Sequence, residues 1–192
     1  MAKKARSVKG LKNFRYCIIT ENEDGTLTYG AIKTVPGMVE VKLSTDESLD
    51  PQYGDDDVYD VANSIGATNG EFTFNAIPLE QRAELSGLVV EDGMVKFNNN
   101  ANPPLVACSF EGPKNGGGSM HVGLYKGQGS VFTSEEWKTK ADKTELVNEP
   151  WNCTFMPIDA SGNIKVVGDS THAEFSMAKF DAEIFGTELP TV

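Results

Sequence analysis

The chain has 192 residues, 39% of them hydrophobic, with 17 lysines and arginines against 28 aspartates and glutamates and a formal net charge of −11. That length accommodates one domain with long arms and a sizeable core. No apolar run approaches the roughly 20 residues that a membrane-spanning helix needs, and Lys3, Lys4 and Arg6 are followed by no apolar block of the secretory kind, so a soluble protein kept in the cytoplasm is expected.

Charge is unevenly distributed. Lys3, Lys4, Arg6, Lys9, Lys12 and Arg15 fall within the first fifteen positions, which hold no acid. Setting these six aside leaves 11 basic against 28 acidic residues, a balance of −17 in the remainder. Such a body repels nucleic acid. A basic N-terminal arm, residues 1–13, is therefore expected to find an acidic protein surface. Cys17, Cys108 and Cys153 lie far apart in apolar stretches, with no CxxC pair and an odd total, which predicts buried free thiols.

Along the chain, period-two alternation predicts a mainly β protein. Strands are expected at Phe14 to Thr20, Thr26 to Thr34, Val39 to Leu43, Val58 to Ile65, Phe72 to Phe74, Leu105 to Phe110, Met120 to Lys126, Trp151 to Met156 and Ile164 to Val167. Asp24-Gly25, Pro36-Gly37 and Asp92-Gly93 are turn signals, the last dividing Leu88–Val90 from Met94–Phe97. One short helix is predicted over 78–87, opened by Pro78 and closed by Gly87. Two loops are expected: a strongly acidic one over 46–57 and a glycine-rich tip over 112–119. Residues 169–192 read as a C-terminal arm, because Met177, Phe180 and Ile184 have helical spacing while Ala173, Phe175 and Met177 alternate.

Signatures of chemistry are sparse. His121 and His172 stand apart, with no HExxH pattern, and no GxSxG elbow or phosphate-cradling GxxxxGK sequence occurs. Asp55, Asp56 and Asp57 with Asp60 lack the spaced ligands, turn glycine and terminal Glu of a calcium loop. The Asn152-Cys153-Thr154 sequon reads as chance without a signal peptide. No enzyme, metal or cofactor is expected.

The order of segments resembles the major tail tube proteins of long-tailed, siphovirus-type bacteriophages of Gram-positive bacteria. The resemblance is carried by Gly10-Leu11-Lys12-Asn13 leading to Tyr16, by Tyr53-Gly54-Asp55-Asp56 with Val58-Tyr59, and by the stretch from Ile77-Pro78-Leu79 to Leu85-Ser86-Gly87. Gly123-Leu124-Tyr125-Lys126-Gly127, Lys138-Thr139-Lys140 with Lys143-Thr144-Glu145, and Thr154-Phe155-Met156-Pro157 continue it. It implies two packed β-sheets with a flanking helix, a tail-tube domain over 14–168, and rings of six that stack into a tube conducting DNA. The implied location is the virion tail, assembled in the bacterial cytoplasm. The implied partners are further copies of the chain, a tape measure protein and tail terminator or completion proteins, with no membrane and no specific DNA binding. A β-sandwich binding module recognising carbohydrate or protein is the alternative, and it requires an exposed aromatic cluster.

Within the tube reading, the 46–57 stretch is expected to join stacked rings through Asp46, Glu47, Asp50, Tyr53, Asp55, Asp56 and Asp57. Lys3, Lys4, Arg6 and Lys9 are candidate contacts of the basic arm. Glu40 and Glu71, on the polar faces of their strands, are candidates to line a net-negative channel, because lysines there would hold the DNA phosphates.

Overall fold

A computed structural model describes residues 6–55, 57–132 and 147–188. Its elements, in chain order, are β1 (Lys12–Glu21), β2 (Leu27–Tyr29), β3 (Lys33–Val35), β4 (Met38–Gly54), β5 (Asp57–Phe74), α1 (Leu79–Leu85), β6 (Val90–Glu91), β7 (Met94–Val95), β8 (Leu105–Pro113), β9 (Ser119–Gly129), β10 (Glu149–Met156), β11 (Lys165–Asp169) and α2 (Met177–Phe185). The mainly β expectation holds. Nine strands form one antiparallel sheet in the order β2-β1-β8-β9-β10-β5-β4, with β3 also on β1 and β11 also on β9, while β6 and β7 make a separate hairpin.

That sheet is folded onto itself. Phe14 on β1 lies 5.3 Å from Phe72 and 5.0 Å from Phe74 on β5, ring centre to ring centre, and 6.3 Å from Trp151 on β10. Three strands separate β1 from β5 in the hydrogen-bonded order, so these rings can meet only if the two halves of the sheet face one another. The result is sandwich-like, with two layers linked through β9 and β10. Phe14, Tyr16, Phe72, Phe74, Val106, Cys108, Leu124, Trp151, Cys153 and Phe155 fill the space between them. Each of the larger side chains contributes about 1.5–3 kcal/mol by leaving water.

A second core lies on the opposite face of β1, β8 and β9. Cys17 and Ile19 alternate with Tyr16 and so point outward, where with Ala107 and Tyr125 they meet Phe180, Ile184 and Phe185 of α2. This explains why β1 and β8 are buried on both faces. The C-terminal segment is thus a docked helix over 177–185 and not an arm: the 3.6-residue spacing wins because Phe180 and Ile184, four apart, share one helix face. Arg15 on β1 clamps it through two hydrogen bonds to Asp181, at 2.7 and 3.0 Å.

Other departures from the expected elements are local. The strand expected at Thr26 to Thr34 divides into β2 and β3, because Gly30 donates to the Ile18 carbonyl at 2.8 Å and bends the chain between two separate pairings with β1. The helix α1 is shorter than the expected 78–87, running over Leu79–Leu85 with Pro78 and Ser86 as its caps, and Gly87 follows the cap. There φ is +68°, and an added Cβ would collide with the Asn102 backbone.

The largest correction concerns the acidic stretch. Residues 46–54 continue β4 and residues 57–65 belong to β5, so 46–57 is the distal part of one long hairpin with its turn at Asp55, not a loop. Register is kept from Glu47 opposite Ile65 to Gly54 opposite Asp57, with an extra residue, Tyr59, near the tip.

Candidate functional site

The distal hairpin has a pattern that its acid content hides. Antiparallel partners share a face, and successive residues alternate. One face therefore carries Glu47 with Ile65, Leu49 with Asn63, Pro51 with Val61, and Tyr53 with Val58. The other carries Ser48 with Ser64, Asp50 with Ala62, and Gln52 with Asp60. The first face continues the side of β4 on which Val41 and Leu43 meet the core, but among the described residues no core lies beneath it. Leu49 is 59% exposed, Ile65 66%, Tyr53 72% and Tyr59 86%. Lone two-stranded hairpins are marginal in water, and this one shows water a stripe of leucine, valine, isoleucine and tyrosine.

The expected contact residues divide accordingly. Glu47 and Tyr53 fall on the apolar face, and Asp50 falls on the polar one, where it accepts a hydrogen bond from Ser48 at 3.1 Å. Asp46 sits at the base, near Asn69 Nδ2 at 3.5 Å. Asp55 occupies the turn with φ +51°, Asp57 follows it, and Asp56 lies outside the described residues. Leu49, Val58, Val61 and Ile65 were not singled out from sequence. The signal for Leu49 was the alternation of Leu49, Pro51 and Tyr53 with Ser48, Asp50 and Gln52, hidden by the overall acid content of 46–57, while Val58, Val61 and Ile65 fall in the strand expected at Val58 to Ile65.

Of the basic arm, Lys3 and Lys4 lie outside the described residues. Arg6 donates to the Gly116 carbonyl, Lys9 N–H to the Pro113 carbonyl at 2.7 Å, and Asn115 N–H to the Ser7 carbonyl at 2.9 Å. Residues 6–9 thus run along the tip of the β8–β9 hairpin of their own subunit. Val8 fits over Gly112, where an added Cβ would clash with it.

Glu40 and Glu71 do share one exposed face, with Lys42 between them at 3.6 and 3.8 Å. The pairing of Lys42 with Glu71 puts all three on the side of the sheet opposite the aromatic core.

A cluster of ionisable groups lines a cavity of about 480 Å³ between the sheet and the segment leading into α2. There Glu111 is met by Lys12 at 2.8 Å, Asn13 at 2.7 Å and His121 at 3.5 Å. His121 is buried and stacked on Phe175, with centroids 5.1 Å apart. Burial holds its imidazole below the ordinary value, opposed by the Glu111 carboxylate, while Arg15 and Lys12 push the same way as burial and Asp181 opposes them. The polar groups satisfy one another within the sheet, and the His121 ring meets Phe180 of α2 with centroids 5.8 Å apart. They offer no nucleophile with an adjacent base. Cys17, Cys108 and Cys153 are buried free thiols, and burial pushes Cys17 up to about 11 and raises Cys108 and Cys153 well above the usual thiol value. Among the described residues, no three His, Cys, Asp or Glu side chains are grouped to hold a metal ion, and no helix is long and apolar enough to cross a membrane.

No protein-family model matches the chain, and a comparison with curated proteins returns no match.

Proposed function

We propose that the protein is a structural subunit that acts by associating with copies of itself, forming rings that stack into the tail tube of a long-tailed bacteriophage. The observation that carries this reading is the amphipathic distal hairpin, whose apolar face extends the core side of β4 into solvent. A hydrophobic stripe on a protruding hairpin marks an interaction surface. The same element is a sheet edge: among the described residues β4 ends the strand order, its 17 residues paired along one side. A second copy covers both, and a closed ring leaves no edge over. The segment resemblance to tail tube proteins supplies the particular assembly, rings of six through which DNA passes, with tape measure and terminator proteins as the remaining partners.

The test is assembly. Sedimentation velocity and negative-stain microscopy of the concentrated protein should show rings or tubes. Leu49→Glu with Ile65→Glu, which place charge on the apolar face without touching the body, should leave a folded monomer. A wild-type chain that stays monomeric at millimolar concentration, or a double variant that assembles normally, overturns the reading.

A further inference from the structure

The chain contains two Asn-Gly pairs, Asn69-Gly70 and Asn115-Gly116, and the fold puts them in opposite surroundings. Asn115 and Gly116 are exposed in the turn that joins β8 to β9. That turn is closed by Lys114 N–H on the Gly118 carbonyl at 2.8 Å and by Gly117 N–H on the Lys114 carbonyl at 3.3 Å, whereas the Gly116 N–H donates to no backbone carbonyl among the described residues. Gly116, Gly117 and Gly118 follow one another with φ of +91°, +103° and +78°, a run that only residues without a Cβ adopt readily. The same peptide anchors the N-terminal strap twice: Asn115 N–H donates to the Ser7 carbonyl at 2.9 Å, and the Gly116 carbonyl accepts from Arg6.

Asn69-Gly70, by contrast, lies inside β5 with a paired strand on each side. Asn69 stands opposite Ser44 of β4 and Thr154 of β10, and its Oδ1 accepts a hydrogen bond from Thr154 at 3.0 Å. Gly70 is buried, so close to the rings of Phe72 and Phe155 that an added Cβ would lie 2.7 Å from the first and 3.1 Å from the second. The same dipeptide is thus free to rearrange at 115 and held in a ladder at 69.

We propose that Asn115 is a site of spontaneous deamidation and that its isoaspartate product releases the N-terminal strap. The Gly116 nitrogen attacks Asn115 Cγ. An N–Cγ bond forms and closes a cyclic imide, the Gly116 N–H proton passes to hydroxide, and Nδ2 leaves as ammonia. Water then opens the ring. Cleavage of the new N–Cγ bond leaves an aspartate on an unchanged backbone, while cleavage of the original peptide bond routes the chain through Cβ and Cγ and leaves an isoaspartate. Water and hydroxide are the only co-reactants. With no Cβ on Gly116 to block the approach, the nitrogen reaches Cγ without disturbing the sheet. At Asn69 the attack waits for β5 to open locally, and its rate falls with the population of that opened state. The isoaspartate backbone is longer between Asn115 N–H and the Gly116 carbonyl, the groups on which Ser7 and Arg6 are anchored. Both contacts cannot then be kept, and Val8 loses its seat over Gly112. An aspartate keeps the spacing and sets a carboxylate near Arg6. None of this chemistry requires self-association.

Ageing the folded protein in mildly alkaline buffer and mapping its peptides by mass spectrometry tests the modification. Acid should accumulate at 115 at least about tenfold faster than at 69, because only the second site needs a ladder to open. In urea the two rates should converge, and in the folded protein the rate at 115 should rise in proportion to hydroxide. Equal rates in the folded protein, or no conversion at 115, overturn the proposal. Amide exchange at Lys9 tests the release. The fraction of aged molecules that exchange fast there should match the isoaspartate fraction counted with an isoaspartyl methyltransferase, while Asn115→Gln should keep its protection through the same ageing. Undiminished protection in aged wild-type protein, or equal loss in aged Asn115→Gln, shows that the strap is not released by this residue. Fresh Asn115→Asp should protect Lys9 as wild type does; loss of protection there assigns the effect to charge and overturns the account from backbone length.

Discussion

Gly123 on β9 tests the docking of α2 most directly. It lies between Ser109 of β8 and Val166 of β11, and a Cβ built on it would sit 2.5 Å from both Cδ1 and Cγ1 of Ile184 and 3.1 Å from Phe180 Cζ. Ordinary carbon contacts begin near 3.5 Å, so the helix must retreat by about 1 Å or its side chains must leave their rotamers. Overpacking of this kind costs roughly 1–3 kcal/mol. Ile184, with no exposed surface, leaves a cavity when cut to alanine, at roughly 2–5 kcal/mol. The two defects are opposite in sign and share one volume. The double variant Gly123→Ala, Ile184→Ala should therefore be more stable than the sum of the singles requires, by roughly 0.5–3 kcal/mol, as expected for residues in contact. Urea unfolding followed by tryptophan fluorescence measures all four corners of the cycle, in dilute protein to keep association out of the equilibrium. Strict additivity would refute the account of Gly123 as the seat of Ile184 and detach α2 from the second core.

Three further outcomes are expected. His121 is held below its unfolded value near 6.5, so the unfolded chain binds its proton first; its contribution to stability is complete above that pH and is lost as pH falls through the lower folded value. His121→Gln should flatten that part of the profile in urea midpoints taken from pH 7 downward, and an unchanged profile would refute it. The three cysteines should be silent toward a thiol reagent at pH 8 and fully reactive in denaturant, since a thiol at about 11 is ionised to only about one part in a thousand there. Gly112→Ala should unseat Val8 and speed amide exchange at Lys9 and Asn115 while changing global stability by less than about 1 kcal/mol, and protection equal to wild type would show that the strap does not depend on that glycine.

The strands of the body were legible because their two faces differ: Phe72 and Phe74 alternate with Glu71 and Thr73, and the register confirms the period. The turns at Asp92-Gly93 and Pro36-Gly37 were legible for a backbone reason, since φ is positive at Asp92, Gly93 and Gly37. Pairing partners were not. That Phe14 packs on Phe74 depends on the folding over of a sheet whose strand order no local pattern encodes. The first strand of the hairpin reads as a loop because composition outweighs period there, acids making up half of 46–57, yet Glu47 and Pro51 in that stretch stand opposite Ile65 and Val61 of the expected strand. Lys42 was equally invisible as a partner of both Glu40 and Glu71, since only the cross-strand register brings Glu71 beside it.

Polar and apolar surfaces are divided in a way that suits an assembling subunit better than a free one. A solitary acidic protein gains solubility from its charge wherever that charge sits. Here the carboxylates of the hairpin share their element with strongly exposed apolar and aromatic side chains, Tyr53, Tyr59 and Ile65. Apolar area supplies the attraction that association needs. Like charges beside it oppose stacking of misaligned copies, and they are relieved where a neighbour presents cations or where the polar face stays in water. The residues of the two cores all lie outside the distal hairpin, so their packing does not draw on it. Under the proposed self-association, the hairpin is the part whose exposed surface would gain by meeting another copy.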